Sequence, residues 1–201
     1  MTLRIKVLLV FAVGLLMLLA VQYVTARTVI LDQVAALEEE KGLSVLEQLE
    51  NLLMDRSQQL ASINSDWASW DDTYQFMEDG SPAYLASNYT PSTFSRLKID
   101  GIVVMALDGK PAYVRGMREE TGESWEVPPE LLSWIKEQIL PVGSSEEGIK
   151  GALKLAGKYY QISVEPILTS DGSGPSRGVM AMVRVMEGKF LGRLSRIGLL
   201  P

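Results

Sequence analysis

Two residue types are missing altogether from these 201 residues: there is no histidine and no cysteine. Their absence removes whole classes of chemistry. Ser-His-Asp and Cys-His catalysis lose their base or nucleophile, thiol redox chemistry has no sulfur, and nearly every zinc site loses its ligands. No disulfide can form, so the fold stands on packing alone and thiol content says nothing about compartment. A basic cluster is missing too. The net charge is −6, with acidic residues spread along the chain, so nucleic acid is not an expected partner. Proline is absent from residues 28–77, which permits one long helix there.

Charge is also absent from residues 7–26. As a helix this stretch rises about 30 Å, the thickness of a bilayer's hydrocarbon core. Arg4 and Lys6 precede it. The positive-inside tendency keeps them cytoplasmic and places the residues after Arg27 outside. Val24-Thr25-Ala26 offers small residues to a signal peptidase. The length of the apolar run and the helical pattern beyond it favour an uncleaved anchor. The longest later apolar run, residues 101–107, is strand-sized. The expected organisation is a cytoplasmic N-terminus and transmembrane helix at residues 1–26. A periplasmic or extracellular domain at residues 27–198 follows, held in the cell membrane by a single pass.

Residues 28–77 read as helix, rich in Leu, Glu, Gln and Ala. Leu46, Leu49, Leu53, Arg56, Leu60, Ile63, Trp67, Trp70, Tyr74 and Met77 are spaced alternately by three and four. That is a seven-residue repeat with one charged interruption. Ile30, Val34 and Leu37 form a shorter run that weakens near Lys41, Gly42 and Ser44, where a kink or phase slip is expected. Residues 60–77 are expected to pack on their own domain core. Residues 28–50 are expected to pair with a second copy, giving a homodimer through the N-terminal helix.

Asp79-Gly80-Ser81-Pro82 ends the helix. Residues 83–98 read as loop with a short helix, and residues 99–107 as a strand. Asp108-Gly109-Lys110 is a tight-turn signal, with residues 111–116 returning as hairpin partner. Residues 117–128 read as loop, and Pro128-Pro129 starts a helix through about Leu140. Residues 150–155 and 158–168 are two strands joined at Ala156-Gly157. Residues 169–177 are a Gly/Ser/Pro connector, and residues 178–186 a last strand. A short helical tail is expected from Phe190. The fold class is α+β: a long N-terminal helix, then an antiparallel sheet of about five strands with helices on one face.

One segment concentrates chemistry. Residues 66–76 hold Trp67, Trp70, Tyr74 and Phe76 with Asp66, Asp71 and Asp72. Trp67, Trp70 and Tyr74 share a face of that helix, and aromatics at that spacing usually serve a core. Asp71 and Asp72 diverge by about 100° on a helix, which argues against a paired acid and base. Either one of them caps or binds a neighbouring backbone amide, or one faces a pocket beside the aromatics and binds a cationic or hydroxyl-bearing small molecule. Tyr159 and Tyr160 alternate along a strand, so one faces the sheet's inner surface. The candidate ligand-binding residues are Trp67, Trp70, Asp71, Asp72, Tyr74 and Tyr159. Arg96, Arg115 and Arg184 are candidates for an anionic ligand. No catalytic residue, metal site or cofactor is expected.

Asp66-Trp67-Ala68 and Trp70-Asp71-Asp72, with Tyr74 and Phe76, resemble the signature of the fourth CHASE subfamily of extracellular sensory domains. Further matches follow in order: Tyr84 with Asn88, then Leu97, Ile99 and Asp100, then Asp108-Gly109-Lys110. Later come residues 159–164, Pro166-Ile167, Ser170-Asp171-Gly172, Gly174-Pro175 and Gly178. The resemblance spans about residues 28–195 and implies a PAS/Cache-like sensor. Such domains sit between two membrane helices. They feed a cytoplasmic diguanylate cyclase, cyclic-di-GMP phosphodiesterase, histidine kinase or chemoreceptor output. This chain ends at Gly198-Leu199-Leu200-Pro201, before a second span. The expected function is therefore a membrane-anchored, non-enzymatic, ligand-binding sensor whose output module lies outside this chain. The alternative is a membrane-tethered interaction or dimerisation protein without ligand or output.

Overall fold

The computed structural model describes residues 2–118, 121–145 and 147–186, with the side chains of residues 28–40 left out of the description. The expected tail from Phe190 and the side chains of Ile30, Val34 and Leu37 therefore lie outside the described residues. The chain divides into two compact units, Met1–Gln48 and Leu49–Pro201.

The first unit is helical. It holds the N-terminal part of α1 (Leu3–Ala68), whose segment Leu3–Arg27 is long and apolar enough to cross a membrane. Its large apolar side chains, among them Leu8, Val10 and Phe11, are exposed. Helical hydrogen bonding runs unbroken through Lys41, Gly42 and Ser44, where a kink or phase slip was expected.

The second unit starts with the last five turns of α1. The helix ends at Ala68, earlier than its repeat predicts, and α2 (Asp71–Asp79) follows after Ser69 and an extended Trp70. No glycine or proline marks this break. Distant groups stabilise it by taking the carbonyls that a helix end leaves unpaired. The Thr73 hydroxyl donates to the Trp67 carbonyl at 2.8 Å, and the Leu168 amide donates to the Ala68 carbonyl at 3.3 Å.

Two short helices, α3 (Pro82–Asn88) and α4 (Pro91–Leu97), replace the expected loop with one helix. Each has proline in its first turn, where the missing N–H costs nothing. The strands are β1 (Gly101–Ala106), β2 (Pro111–Met117), β3 (Ser124–Trp125), β4 (Ile149–Leu155), β5 (Lys158–Pro166) and β6 (Gly178–Val185). Helices α5 (Pro129–Glu137) and α6 (Ile139–Gly143) lie between β3 and β4.

The sheet is antiparallel, in the order β3-β2-β1-β6-β5-β4. It has six strands rather than five. The sixth is the two-residue β3, placed where a loop was expected. It pairs because Gly116 leaves room for Trp125: a Cβ at Gly116 would collide with the Trp125 backbone and ring.

Helices cover both faces, correcting the one-face expectation. On one face Ile102, Val104, Met180 and Met182 pack with Leu60 and Ala68 of α1 and with Phe76, Tyr84 and Phe94. On the other, Val103, Tyr160, Ile162, Val164 and Ala181 pack with Leu131 and Ile135 of α5 and Val142 of α6. Strand alternation sorts the two sets.

Candidate functional site

The 66–76 segment does not act as a single helical face, because the chain turns at Ser69–Trp70. The structure divides its residues into two groups. Trp67 is half-buried. It sits in an aromatic column, stacked on Trp70 at 4.7 Å and on Tyr89 at 5.9 Å, with Tyr89 stacked in turn on Tyr113 at 4.7 Å. Trp70 caps the outer end of that column and is 39% exposed. The sequence expectation placed both tryptophans in one core stripe; only Trp67 is enclosed.

A line of buried hydroxyls fixes the column from beneath. Thr73 donates to the Trp67 carbonyl, so its Oγ1 accepts from the Tyr84 hydroxyl at 2.6 Å. The Tyr84 oxygen then accepts from the Tyr89 hydroxyl at 3.1 Å. Burial raises the pKa of both phenols above the ordinary value, and burial does the same to Tyr113. These tyrosines therefore stay neutral, and those of the chain remain donors, at physiological pH.

The two adjacent aspartates take different roles. Asp71 grips the β5–β6 connector: one carboxylate oxygen accepts the Ser170 amide and the other the Ser170 hydroxyl, each at 2.9 Å. Tyr74 holds the same connector. Its hydroxyl donates to the Pro175 carbonyl at 3.1 Å, and Arg177 lies 3.9 Å over its ring. Arg177 also donates to the Tyr74 carbonyl and pairs with Glu78, both at 2.9 Å. Within the connector, hydrogen bonds from Thr169 and Ser173 hold Asp171 down at about 2. Asp72 and Asp66 are exposed, and neither makes a hydrogen bond or ion pair among the described residues.

Tyr159 does not join this group. It is 46% exposed and sits beside Lys154, whose Nζ lies 5.1 Å from its ring centre. It lies near the start of β5, while the aromatic segment meets the chain just beyond the strand's end. Seven strand residues separate the two, about 23 Å. Its neighbour Tyr160 is the inward tyrosine, stacked on Trp125 across the sheet's other face.

Two of the arginines considered for an anionic ligand serve the fold. Arg184 donates to the carbonyls of Lys98 and Leu97, and Arg115 to that of Tyr89. Tyr89 and Thr73, central to the site, carried no sequence signal; Tyr84 appeared only through the family resemblance. Among the described residues no group of three or more acidic side chains converges to hold a metal.

The six-stranded antiparallel sheet and the helices packed on it form a PAS/Cache-like sensor fold. The solved extracellular domain of the histidine kinase vpHK1S-Z8 shares it (TM-score 0.51, 13% identity, covering 79% of this chain and 59% of that one). So does a domain of a sensory box/GGDEF family protein from Vibrio parahaemolyticus (TM-score 0.52, 13% identity, covering 77% and 62%). The chain belongs to the CHASE4 domain family, whose pattern matches residues 52–201. It is 30% identical over 206 residues to the methanogenesis regulatory histidine kinase FilI of Methanothrix harundinacea (strain 6Ac). That match takes in 99% of this chain but only 23% of the kinase.

Proposed function

We propose that this chain is the membrane-anchored, extracytoplasmic sensor of a signal-transduction receptor. In this reading residues 7–26 cross the membrane with Arg4 and Lys6 inside. The CHASE4 domain binds a small molecule outside, and a cytoplasmic output module such as a histidine kinase or diguanylate cyclase receives the signal. The observation that carries the reading is the pairing of a CHASE4 sensor with an apolar helix of membrane-spanning length that precedes it in sequence.

The ligand site is the outer end of the aromatic column. Trp67, Asp71 and Tyr74 are spent on the fold. Trp70 and Asp72 are left at the surface with Asp66 close by in sequence. An exposed indole face attracts a cation through its quadrupole, and carboxylates add charge and hydrogen-bond acceptors. That chemistry suits a small ammonium- or hydroxyl-bearing molecule.

Leu43 and Leu46 are exposed on α1, which supports pairing of two copies along that helix. The same exposed residues support the second reading, a tethered dimerisation protein with no ligand. Thermal melts of the full chain in nanodiscs, with a panel of small amines, amino acids and polyols, separate the two. A ligand bound to the native state raises the midpoint by mass action. Stabilisation by a member of the panel supports the sensor; no shift across the panel supports the scaffold.

A further inference from the structure

The contact between α1 and β5 is polar where a helix on a sheet is normally apolar. Gln161, Ser163 and Glu165 alternate along β5 on the α1 face, and all three are buried. Helix α1 answers with buried Ser57 and Asn64. Gln161 Nε2 donates to Ser57 Oγ, and Asn64 Nδ2 to Ser163 Oγ, each at 3.2 Å. Asn64 Nδ2 also donates to the carbonyls of Ser163 on β5 and Met180 on β6. One side chain thus fastens the helix to two strands.

Glu165 completes the row. It is 9% exposed and accepts the Ser163 hydroxyl at 2.8 Å. Its carboxyl group lies against Gly148, where any Cβ would collide with it. The groups around it offer little compensation. Lys150 on β4, the register partner of Ser163, is the one charge that acts on it among the described residues. Its register partner on β6 is Met180, α1 brings the Asn64 amide to the adjoining Ser163, and position 148 offers only backbone.

We infer that Glu165 is a proton-binding site built into the α1–sheet contact, and that the proton is a second input to this domain. A carboxylate only accepts hydrogen bonds, whereas a carboxylic acid also donates one. While Glu165 is ionised, the Ser163 hydroxyl is committed to it. A bound proton lets the acid donate to Ser163 Oγ and frees the Ser163 hydroxyl hydrogen. The contact holds a buried acceptor without a partner among the described residues, Asn64 Oδ1. Ser163 Oγ also accepts from Asn64 Nδ2, so the proton acts on the side chain that fastens α1.

Burial raises the proton affinity of Glu165 above its ordinary value of 4.5, outweighing the Ser163 bond and Lys150. The native state thus binds this proton more tightly than the unfolded chain. The resulting stabilisation is complete below 4.5 and is lost as pH rises through the raised native value. Within that window the folding constant falls up to tenfold per pH unit for one proton.

The test uses the full chain in nanodiscs. Carbon NMR of labelled glutamate carboxyls follows Glu165 directly, and urea unfolding gives the folding constant against pH for the native chain and Glu165→Gln. The inference expects Glu165 to titrate above the other glutamates. It also expects the native folding constant to fall through that window while Glu165→Gln stays level there. Titration of Glu165 with the ordinary carboxylates, or equal pH slopes for both proteins, overturns it. If Glu165→Gln does not fold, the titration of the native chain decides alone.

Discussion

Asn64→Ala is the substitution that probes the α1–sheet contact most sharply. Asn64 is fully buried, and its Nδ2 donates to the Met180 carbonyl at 2.9 Å, the Ser163 carbonyl at 3.1 Å and Ser163 Oγ at 3.2 Å. Alanine removes all three bonds. Each carbonyl has a second lone pair, so neither is stripped bare, and about 1 kcal/mol for each of the two is a reasonable loss. The lost carboxamide leaves a small cavity that adds about 1 kcal/mol. Removing the unpartnered Oδ1 returns a fraction of this. The net cost is about 2–3 kcal/mol, or roughly 5–10 °C in midpoint for a domain of this size. Asn64→Asp keeps the shape but turns a carboxylate toward two carbonyls. It should cost more than alanine at neutral pH, with the deficit shrinking as the medium is acidified and the side chain protonates. Urea unfolding of the full chain in nanodiscs, followed by near-UV circular dichroism, measures both. A loss below about 0.5 kcal/mol for Asn64→Ala would refute the reasoning, because apolar packing alone would then hold α1 on the sheet.

Two further outcomes follow from the same geometry. Trp67→Ala should cost about 3–4 kcal/mol, since its ring is stacked on both sides, and Trp70→Ala about 1–2 kcal/mol, since it is 39% exposed; equal losses in chemical unfolding would contradict the division of the segment. Cysteines placed singly at Leu46 and Leu49 should crosslink to their own copies in membranes and one at Glu47 should not, and uniformly weak crosslinking would remove the proposed dimer; the native chain has no cysteine to interfere.

The parts of the fold legible in the sequence were those whose cause is local. The proline-free run gave the long helix, and the β-branched and apolar runs, with their Asp-Gly-Lys, Ala-Gly and Gly/Ser/Pro breaks, gave five strand positions within a few residues. The parts that escaped are set by distant partners. The break after Ala68 is capped by Thr73 and by Leu168, the latter 100 positions away, so no local breaker announces it. Strand β3 exists because Gly116 admits Trp125. The leucine repeat pointed to an apolar α1 contact. Leu60, Ile63 and Trp67 of that repeat do pack with the core, but the helix also meets the sheet through Ser57 and Asn64, which look like surface residues until Gln161 and Ser163 are placed opposite them. At the candidate site, adjacency was enough to separate Asp71 from Asp72. Which of the two would hold Ser170 depended on the connector's path. Alternation says that one of Tyr159 and Tyr160 points inward without saying which, and the inward one, Tyr160, packs on the face opposite the aromatic segment.

The central claim is that a ligand binds on the α1 face, at the Trp70 end of the aromatic column. The chain's four tryptophans make it directly testable. Trp67 and Trp70 lie on the α1 side of the sheet, and Trp125 and Trp134 pack with the core on the opposite face. Fluorine NMR of the full chain carrying 5-fluorotryptophan, assigned by single Trp→Phe variants, reports both faces in one titration with a stabilising compound. The account predicts that the Trp70 signal moves most, that Trp67 follows weakly, and that Trp125 and Trp134 stay put. It also predicts that Asp72→Asn weakens the response without changing the unliganded spectrum. Movement of Trp125 or Trp134 with Trp70 unmoved would place the ligand between the sheet and α5, and would contradict it.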